Sequence, residues 1–177
     1  MNINIRETKK EDLLNIMELW NSGEVMHYVG FPNGLGIKLE DLERWLSRVN
    51  QQELRKHYSI YTDELGYCGE TFYDIDTVHD LATLDIKLFP KAQGKGIASY
   101  ALSFAISQVF DHNLATRAYV DPNPENKKAW KLYDKLGFIR KPRPDFLEPY
   151  ETYLEITKEV WSKNNLGIFT SRLKQHQ

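Results

Sequence analysis

The period of the apolar positions changes along the chain, and the changes mark out its elements. Residues 2–7 alternate isoleucine with polar side chains, the pattern of a half-buried strand. Thr8 and Glu11 have capping-box spacing, and Leu13, Leu14, Ile16, Met17, Leu19 and Trp20 then recur as the apolar side of a helix. Periodicity is lost over residues 21–37, where glycine mixes with aromatics such as Tyr28 and Phe31 in a predicted loop. That loop reads equally as a connection packed over the core and as one wall of an acceptor pocket. A second helix is predicted over 39–49, with Leu42, Trp45, Leu46 and Val49 on its apolar side. Three strands follow at 57–61, 66–75 and 82–89, with turns at Asp63-Glu64 and at 76–80.

A helix over 97–111 and a strand over 115–120 come next. Ala129, Trp130, Leu132, Tyr133 and Leu136 then return to helical spacing, with Pro124 suited to a first turn and Asn123 to the cap before it. Gly137 stops this helix as a C′ residue, and Phe138 can fold back on its last turn. Strands at 137–140 and 151–157 flank a proline-rich loop over 142–149 and close the pattern. Residues after 161 read as helical or frayed. A single domain is therefore expected over 1–161, with 162–177 as a tail.

Composition excludes several classes of function. The 177 residues are 41% hydrophobic and 27% charged, which is a folded, soluble composition able to bury a substantial core. A net charge of -2 without a Lys/Arg block speaks against a nucleic-acid partner. No apolar run approaches the ~18 residues of a membrane span, and the first residues lack the apolar region of a signal peptide, so a cytoplasmic protein is expected. Cys68 is the only cysteine and cannot form an intrachain disulfide. It reads as a small packed thiol, and as a nucleophile it would need a histidine brought to it. The histidines at 27, 57, 79, 112 and 176 have no ligand spacing, so no metal site is predicted.

The richest segment is Lys91-Ala92-Gln93-Gly94-Lys95-Gly96, set between the strand that holds Ile86 and Leu88 and the helix that begins at Ile97 and Ala98. Gly94 and Gly96 permit a tight turn, so that backbone N–H groups converge on one anion and the helix N-terminus adds its unpaired donors. Lys91 and Lys95 add mobile positive charge. A P-loop is excluded because Ile97 and Ala98 stand where lysine and a hydroxyl are required, and a dinucleotide fingerprint fails at Ser99. The hexapeptide alone also suits a turn that merely joins strand to helix.

Further on, Asp121-Pro122-Asn123-Pro124-Glu125-Asn126 leads into Ala129-Trp130-Lys131-Leu132-Tyr133 and ends at Leu136-Gly137-Phe138. Together with Lys91-x-x-Gly94-x-Gly96, this segment resembles the GCN5-related N-acetyltransferase superfamily from residue 3 to about 161. The resemblance implies an α/β (α+β) fold, with a mixed, mostly antiparallel sheet of six to seven strands flanked by about four helices. It implies acetyl-CoA as donor, its pyrophosphate on residues 91–98 and its pantetheine arm on Asn126. Backbone N–H groups near Ile86 and Leu88 would polarise the thioester carbonyl, and Tyr133 would act as general acid. Asn126 and Tyr133 are seven apart and so share a helix face. On spacing alone, Tyr133 reads as a core aromatic.

Acetyl transfer also needs a proton acceptor for the amine. Asp85, an acid in an otherwise apolar strand, is either a structural hydrogen-bond acceptor or part of the site. Within the superfamily the chain most resembles the aminoglycoside 6'-N-acetyltransferase branch, and that likeness implies Asp85 as base and Asp121 as anchor for the cationic acceptor. As a local motif, Asp121-Pro122 equally initiates a turn. The acceptor-side loops are short of acids, with Glu24 and Glu148 the main candidates, whereas a polycation favours an acidic cleft. The expected acceptor is the primary amine of a small molecule such as an aminoglycoside-like amino sugar, contacted by Tyr28, Asp121 and Glu148. Polyamines, protein N-termini and a non-catalytic CoA sensor are the alternatives, in a monomer or homodimer.

Overall fold

A computed structural model describes residues 1–165, so the predicted tail beyond 165 lies outside the described residues. The elements run β1 (Ile3–Glu7), α1 (Leu13–Asn21), α2 (Gly23–Met26), α3 (Leu39–Leu46), β2 (Arg55–Thr62), β3 (Gly66–Asp76), β4 (Leu81–Leu88), α4 (Ile97–Asp111), β5 (Arg117–Val120), α5 (Lys127–Leu136), β6 (Ile139–Arg140), β7 (Leu154–Thr157) and α6 (Lys158–Asn165). All the strands join one sheet in the order β1-β2-β3-β4-β5-β7-β6. Neighbours are antiparallel except β4 and β5, which the crossover through α4 makes parallel.

Side chains alternate between two covered faces. Leu84 of β4, Ala118 and Val120 of β5, and Leu154 and Ile156 of β7 pack with Leu102, Ala105, Ile106 and Val109 of α4 and with Tyr133 and Leu136 of α5. Tyr67 of β3, with Tyr61 of β2 beside it, meets Leu13, Ile16 and Leu19 of α1 and Leu42 of α3 on the opposite face. Covering both faces buries β2 and β3 along most of their length, polar residues such as His57, Ser59, Glu70 and Thr71 included. A third, small cluster of Leu81, Tyr119 and Tyr153 fills the α1/α3 face at β4, β5 and β7.

Tertiary contacts redraw several predicted ends. Thr8 does not cap the first helix, because its Oγ1 is spent on His57 Nδ1 and Ser59 Oγ, both at 2.8 Å. Lys9 N–H instead donates to Asp12 Oδ2, and a short 3-10 turn over Lys10–Asp12 leads into α1. The predicted 21–37 loop contains the one-turn α2, capped by Ser22. The helix expected to run to 49 ends at Leu46, because Asn50 turns left-handed and its side chain binds Thr8 O, His57 N and His57 O. Asn123 caps a turn and not α5: its Oδ1 accepts from Glu125 N–H at 2.9 Å, and Asn126 takes the helix cap.

Candidate active site

The site is built where two strands part. β4 and β5 pair only from Leu81↔Arg117 to Thr83↔Tyr119, after which β4 continues to Leu88 with no partner on that side. Pro122 helps explain the parting, since proline has no N–H to continue a ladder. Extending the register by two residues would set Asp85 opposite Asp121, and two carboxylates do not favour a shared position. The resulting gap reaches through the sheet, and Asp85 and Asp121 stand on the α1/α3 face of it by strand alternation. Tyr133 approaches from the other face, held in the α4/α5 core.

Beyond β4 the chain makes a 3-10 turn over Pro90–Ala92 and enters α4 through Gly94 and Gly96, whose φ values are +73° and +79°. No atom lies within 4 Å of where a Cβ would stand at either glycine, so the turn is open to a ligand. The backbone N–H groups of residues 94–99 donate to nothing among the described residues, while Tyr100 N–H closes the first helical turn on Gly96 O at 3.1 Å. This row of free donors at a helix N-terminus fits a pyrophosphate. Ile97 is fully buried and anchors the helix start, with partly buried Ala98 beside it. Gln93 ties the turn together, donating through Nε2 to Leu88 O (3.3 Å) and accepting at Oε1 from Lys128 Nζ (3.3 Å). Lys95 stays exposed, whereas Lys91 donates to Leu65 O at 3.0 Å, away from the donor row.

Asp85, Asp121 and Tyr133 come together electrostatically. Burial raises the Tyr133 hydroxyl well above its ordinary value, and the charges of Asp85 and then Asp121 raise it further. Tyr133 is only 5% exposed, and its hydroxyl makes no hydrogen bond among the described residues. It is therefore a protonated donor without a protein acceptor. The Asp121 carboxyl is raised by burial and by Asp85, against the opposing pull of Arg143, whose Nη1 lies 3.0 Å from Oδ2. Asp85 is half-buried, with Oδ1 accepting from Ile86 N–H at 2.8 Å and Oδ2 bound by Lys87 Nζ. The N–H expected to polarise a carbonyl is thus held by Asp85. Leu88 contributes its backbone oxygen to Gln93 and its side chain to the core beside Ile97.

Asn126 Oδ1 accepts from Ala129 N–H at 3.2 Å, which leaves its Nδ2 donors without a protein acceptor among the described residues. Tyr28 and Glu148 lie on the two acceptor-side loops, and neither makes a hydrogen bond, ion pair or ring contact with Asp85, Asp121 or Tyr133. Lys87, Arg143 and Glu70 were not singled out in the sequence. Lys87 was findable, being two residues from Asp85 on the same strand face, and Glu70 is an acid in an aromatic strand. Arg143 carries no local signal, since it is 22 residues from its partner. Two shallow depressions lie elsewhere, one of about 440 Å³ around Trp130 and Arg140 and one along residues 140–153. Neither is lined by Asp85, Asp121 or Tyr133, although Arg143 borders the second. Among the described residues no group of His, Cys, Asp and Glu could hold a metal ion, and no helix is long and apolar enough to cross a membrane.

Known proteins are similar to this chain in sequence and in fold. The acetyltransferase (GNAT) domain family matches residues 2–139. Spermidine N(1)-acetyltransferase of Escherichia coli strain K12 is 30% identical over 137 residues, covering 77% of this chain and 72% of that protein. Aminoglycoside N(6')-acetyltransferase type 1 of Klebsiella pneumoniae is 21% identical over 172 residues, covering 91% and 86%. In fold, the chain superimposes on spermidine N-acetyltransferase from Vibrio cholerae, solved in complex with CoA and spermine, with a TM-score of 0.76 at 21% identity over 90% of this chain and 97% of that one. A donor row at the head of α4 and a family match across most of the sheet lead to one assignment: the chain belongs to the GCN5-related N-acetyltransferases and takes the acetyl group it transfers from acetyl-CoA.

Proposed function

We propose that this N-acetyltransferase acetylates a primary amine of a small polycation, a polyamine or an amino sugar, by direct transfer with both substrates bound together in the cytoplasm. One arrangement carries the reading: Asp85 and Asp121 lie on one side of the gap where β4 and β5 part and Tyr133 on the other, and the charges of both acids add to burial in raising its hydroxyl. Bound acetyl-CoA supplies an activated thioester, and the side chains supply the proton transfers. Asp85 receives the proton of the acceptor ammonium, and Asp121 holds the cation on the same face. Tyr133 is a protonated phenol at neutral pH, and burial with the two acids keeps it so, which leaves its proton for the departing sulfur.

The remaining residues bind and orient. Free N–H groups at 94–99 receive the pyrophosphate, with Gln93 bracing the turn and Lys95 adding charge. Lys91 joins them by leaving Leu65 O, and Asn126 Nδ2 holds the pantetheine arm. Ile86 N–H polarises the acyl carbonyl once Asp85 Oδ1 turns to the amine. Tyr28 and Glu148 line the acceptor side. Likeness to the spermidine and aminoglycoside enzymes supports the acceptor class.

Release of free CoA thiol, followed with spermidine, aminoglycosides and peptide N-termini as acceptors, tests the reading. Turnover of spermidine or an aminoglycoside is expected to exceed that of peptides by at least about tenfold in kcat/KM. Preference for peptides would overturn the acceptor class. Binding of acetyl-CoA without thiol release from any amine would point to a sensor.

A further inference from the structure

A second polar cluster lies beside Asp85 and has no part in the reaction described so far. Strand pairing sets Ser59, Glu70 and Lys87 in one row across β2, β3 and β4, and His57, Phe72 and Asp85 in the next row on the same face. Glu70 is 1% exposed. It accepts from Trp20 Nε1 at 2.8 Å and pairs with His57 Nε2 at 3.0 Å, and its Oε1 lies 3.6 Å from Lys87 Nζ. Lys87, only 14% exposed at its side chain, reaches on to Asp85 Oδ2. One ammonium therefore bridges a fully buried carboxylate and the half-buried carboxylate at the gap.

Such a cluster is costly to build in a sheet face otherwise lined by Trp20, Trp45 and Phe72. A buried ion pair contributes little net stability, and apolar residues of the same volume would serve the core as well. Glu70 is nonetheless a fixed charge: burial works to raise its carboxyl, but His57, Lys87 and Trp20 outweigh burial and hold it below the ordinary value. An ionised carboxylate only accepts, so His57 Nε2 donates, and His57 Nδ1 faces Thr8 Oγ1 and through it Ser59. The charged or titratable groups around Asp85 are Lys87, Glu70 and His57 on the sheet, Asp121 with its partner Arg143 beyond β5, and Tyr133 from α5.

We propose that Lys87, anchored by the buried Glu70, is a positioning residue that fixes the Asp85 carboxylate at the mouth of the gap. An aspartate on a strand otherwise swings freely about two torsions. Here Lys87 holds Oδ2, while Ile86 N–H holds Oδ1 only until the acyl carbonyl takes that donor, so Oδ1 is the oxygen left for an arriving amine. Glu70 also holds Trp20 in the last turn of α1, where the acceptor-side loop begins. The same buried charge thus ties the loop root to the carboxylate.

The inference rests on the proposed role of Asp85, so Lys87→Met, Lys87→Arg, Glu70→Gln and Asp85→Asn are measured side by side, with spermidine as the first acceptor. Lys87→Met is expected to lower kcat at least about tenfold with the acetyl-CoA KM within about twofold, and Lys87→Arg to recover most of the loss. The Asp85→Asn/Lys87→Met double variant should be no slower than Asp85→Asn alone. A wild-type rate for Asp85→Asn removes Asp85 from the reaction and this role with it. A slow Asp85→Asn beside a Lys87→Met within about twofold of wild type overturns the positioning role only. If Lys87→Met does not fold, Lys87→Gln replaces it. The carboxyl carbon NMR signal of Asp85 gives a reading that needs no acceptor: it should shift in Lys87→Met or Lys87→Gln and return in Lys87→Arg, and an unmoved signal counts against the contact.

Discussion

Arg143 reaches back from the loop between β6 and β7 to Asp121, placing Nη1 3.0 Å from Oδ2, while its Nε donates to Glu148 O at 2.7 Å and Nη1 also to Thr152 O at 3.1 Å. The carboxylate proposed to anchor the acceptor therefore already holds an internal cation. Asp121→Asn should raise the KM for a cationic acceptor about tenfold, with acetyl-CoA binding unchanged. Steady-state kinetics with each substrate varied in turn checks this. If Asp121 only straps the loop, Arg143→Gln will match it, and the two losses will not add.

Tyr133→Phe should lower kcat by about a hundredfold and leave the acetyl-CoA KM near wild type, because the hydroxyl is proposed to act only on the leaving sulfur. Stability should hold, since the ring keeps its edge contact with Phe138 at 5.6 Å and the hydroxyl has no protein partner among the described residues to lose. An unchanged turnover, measured by thiol release with a competent amine, would remove Tyr133 from the chemistry.

Gly96→Ala tests the donor row. At a φ of +79° an alanine is strained by about 1 kcal/mol, although no neighbouring atom clashes with it. The larger effect should fall on ligand binding, as the methyl group enters space that the pyrophosphate needs. A rise in the acetyl-CoA KM of at least about tenfold, against a melting temperature lowered by only a few degrees, is the expected result.

Acid stability should depend on Asp12. It is fully buried, and both its oxygens are held by the Arg6 fork at 2.9 Å, with Lys9 N–H and the Tyr61 hydroxyl adding to them. Burial tends to raise its carboxyl, but Tyr61, Lys9 and Arg6 prevail and hold it below the ordinary value. Burial and Asp12 in turn push the Tyr61 hydroxyl up to about 12. A depressed carboxyl contributes stability that is complete above the unfolded value of about 3.9 and is lost as pH falls through the folded one. Asp12→Asn should cost about 3 kcal/mol at neutral pH and flatten the acid side of a plot of melting temperature against pH.

The elements that could be read along the chain are those stabilised by their own neighbours. The turn at Gly94 and Gly96, the start of α4 at Ile97 and the stop at Gly137 follow from backbone freedom and apolar spacing within a few residues. Errors arose where a distant partner outbid the local one. Thr8 was drawn to His57 and Ser59, which lie 49 and 51 residues away in sequence, and Asn50 to the same strand, which shortened α3. The two acids were legible as residue types; of the cations that hold them, Lys87 stands two residues from Asp85 on the same strand, whereas Arg143, 22 residues from Asp121, left no local signal.

By itself the sequence determined the donor half of this enzyme, because a row of free N–H groups is a local property of a glycine turn entering a helix. Only the tertiary structure decided what surrounds the gap proposed for the acceptor. Where β4 and β5 part, how far Lys87 and Arg143 reach, and the approach of Tyr133 from the opposite face all depend on strands and loops paired across long stretches of chain. Local periodicity carries no record of that pairing, since charges on one strand face find their partners only after the sheet has set its register.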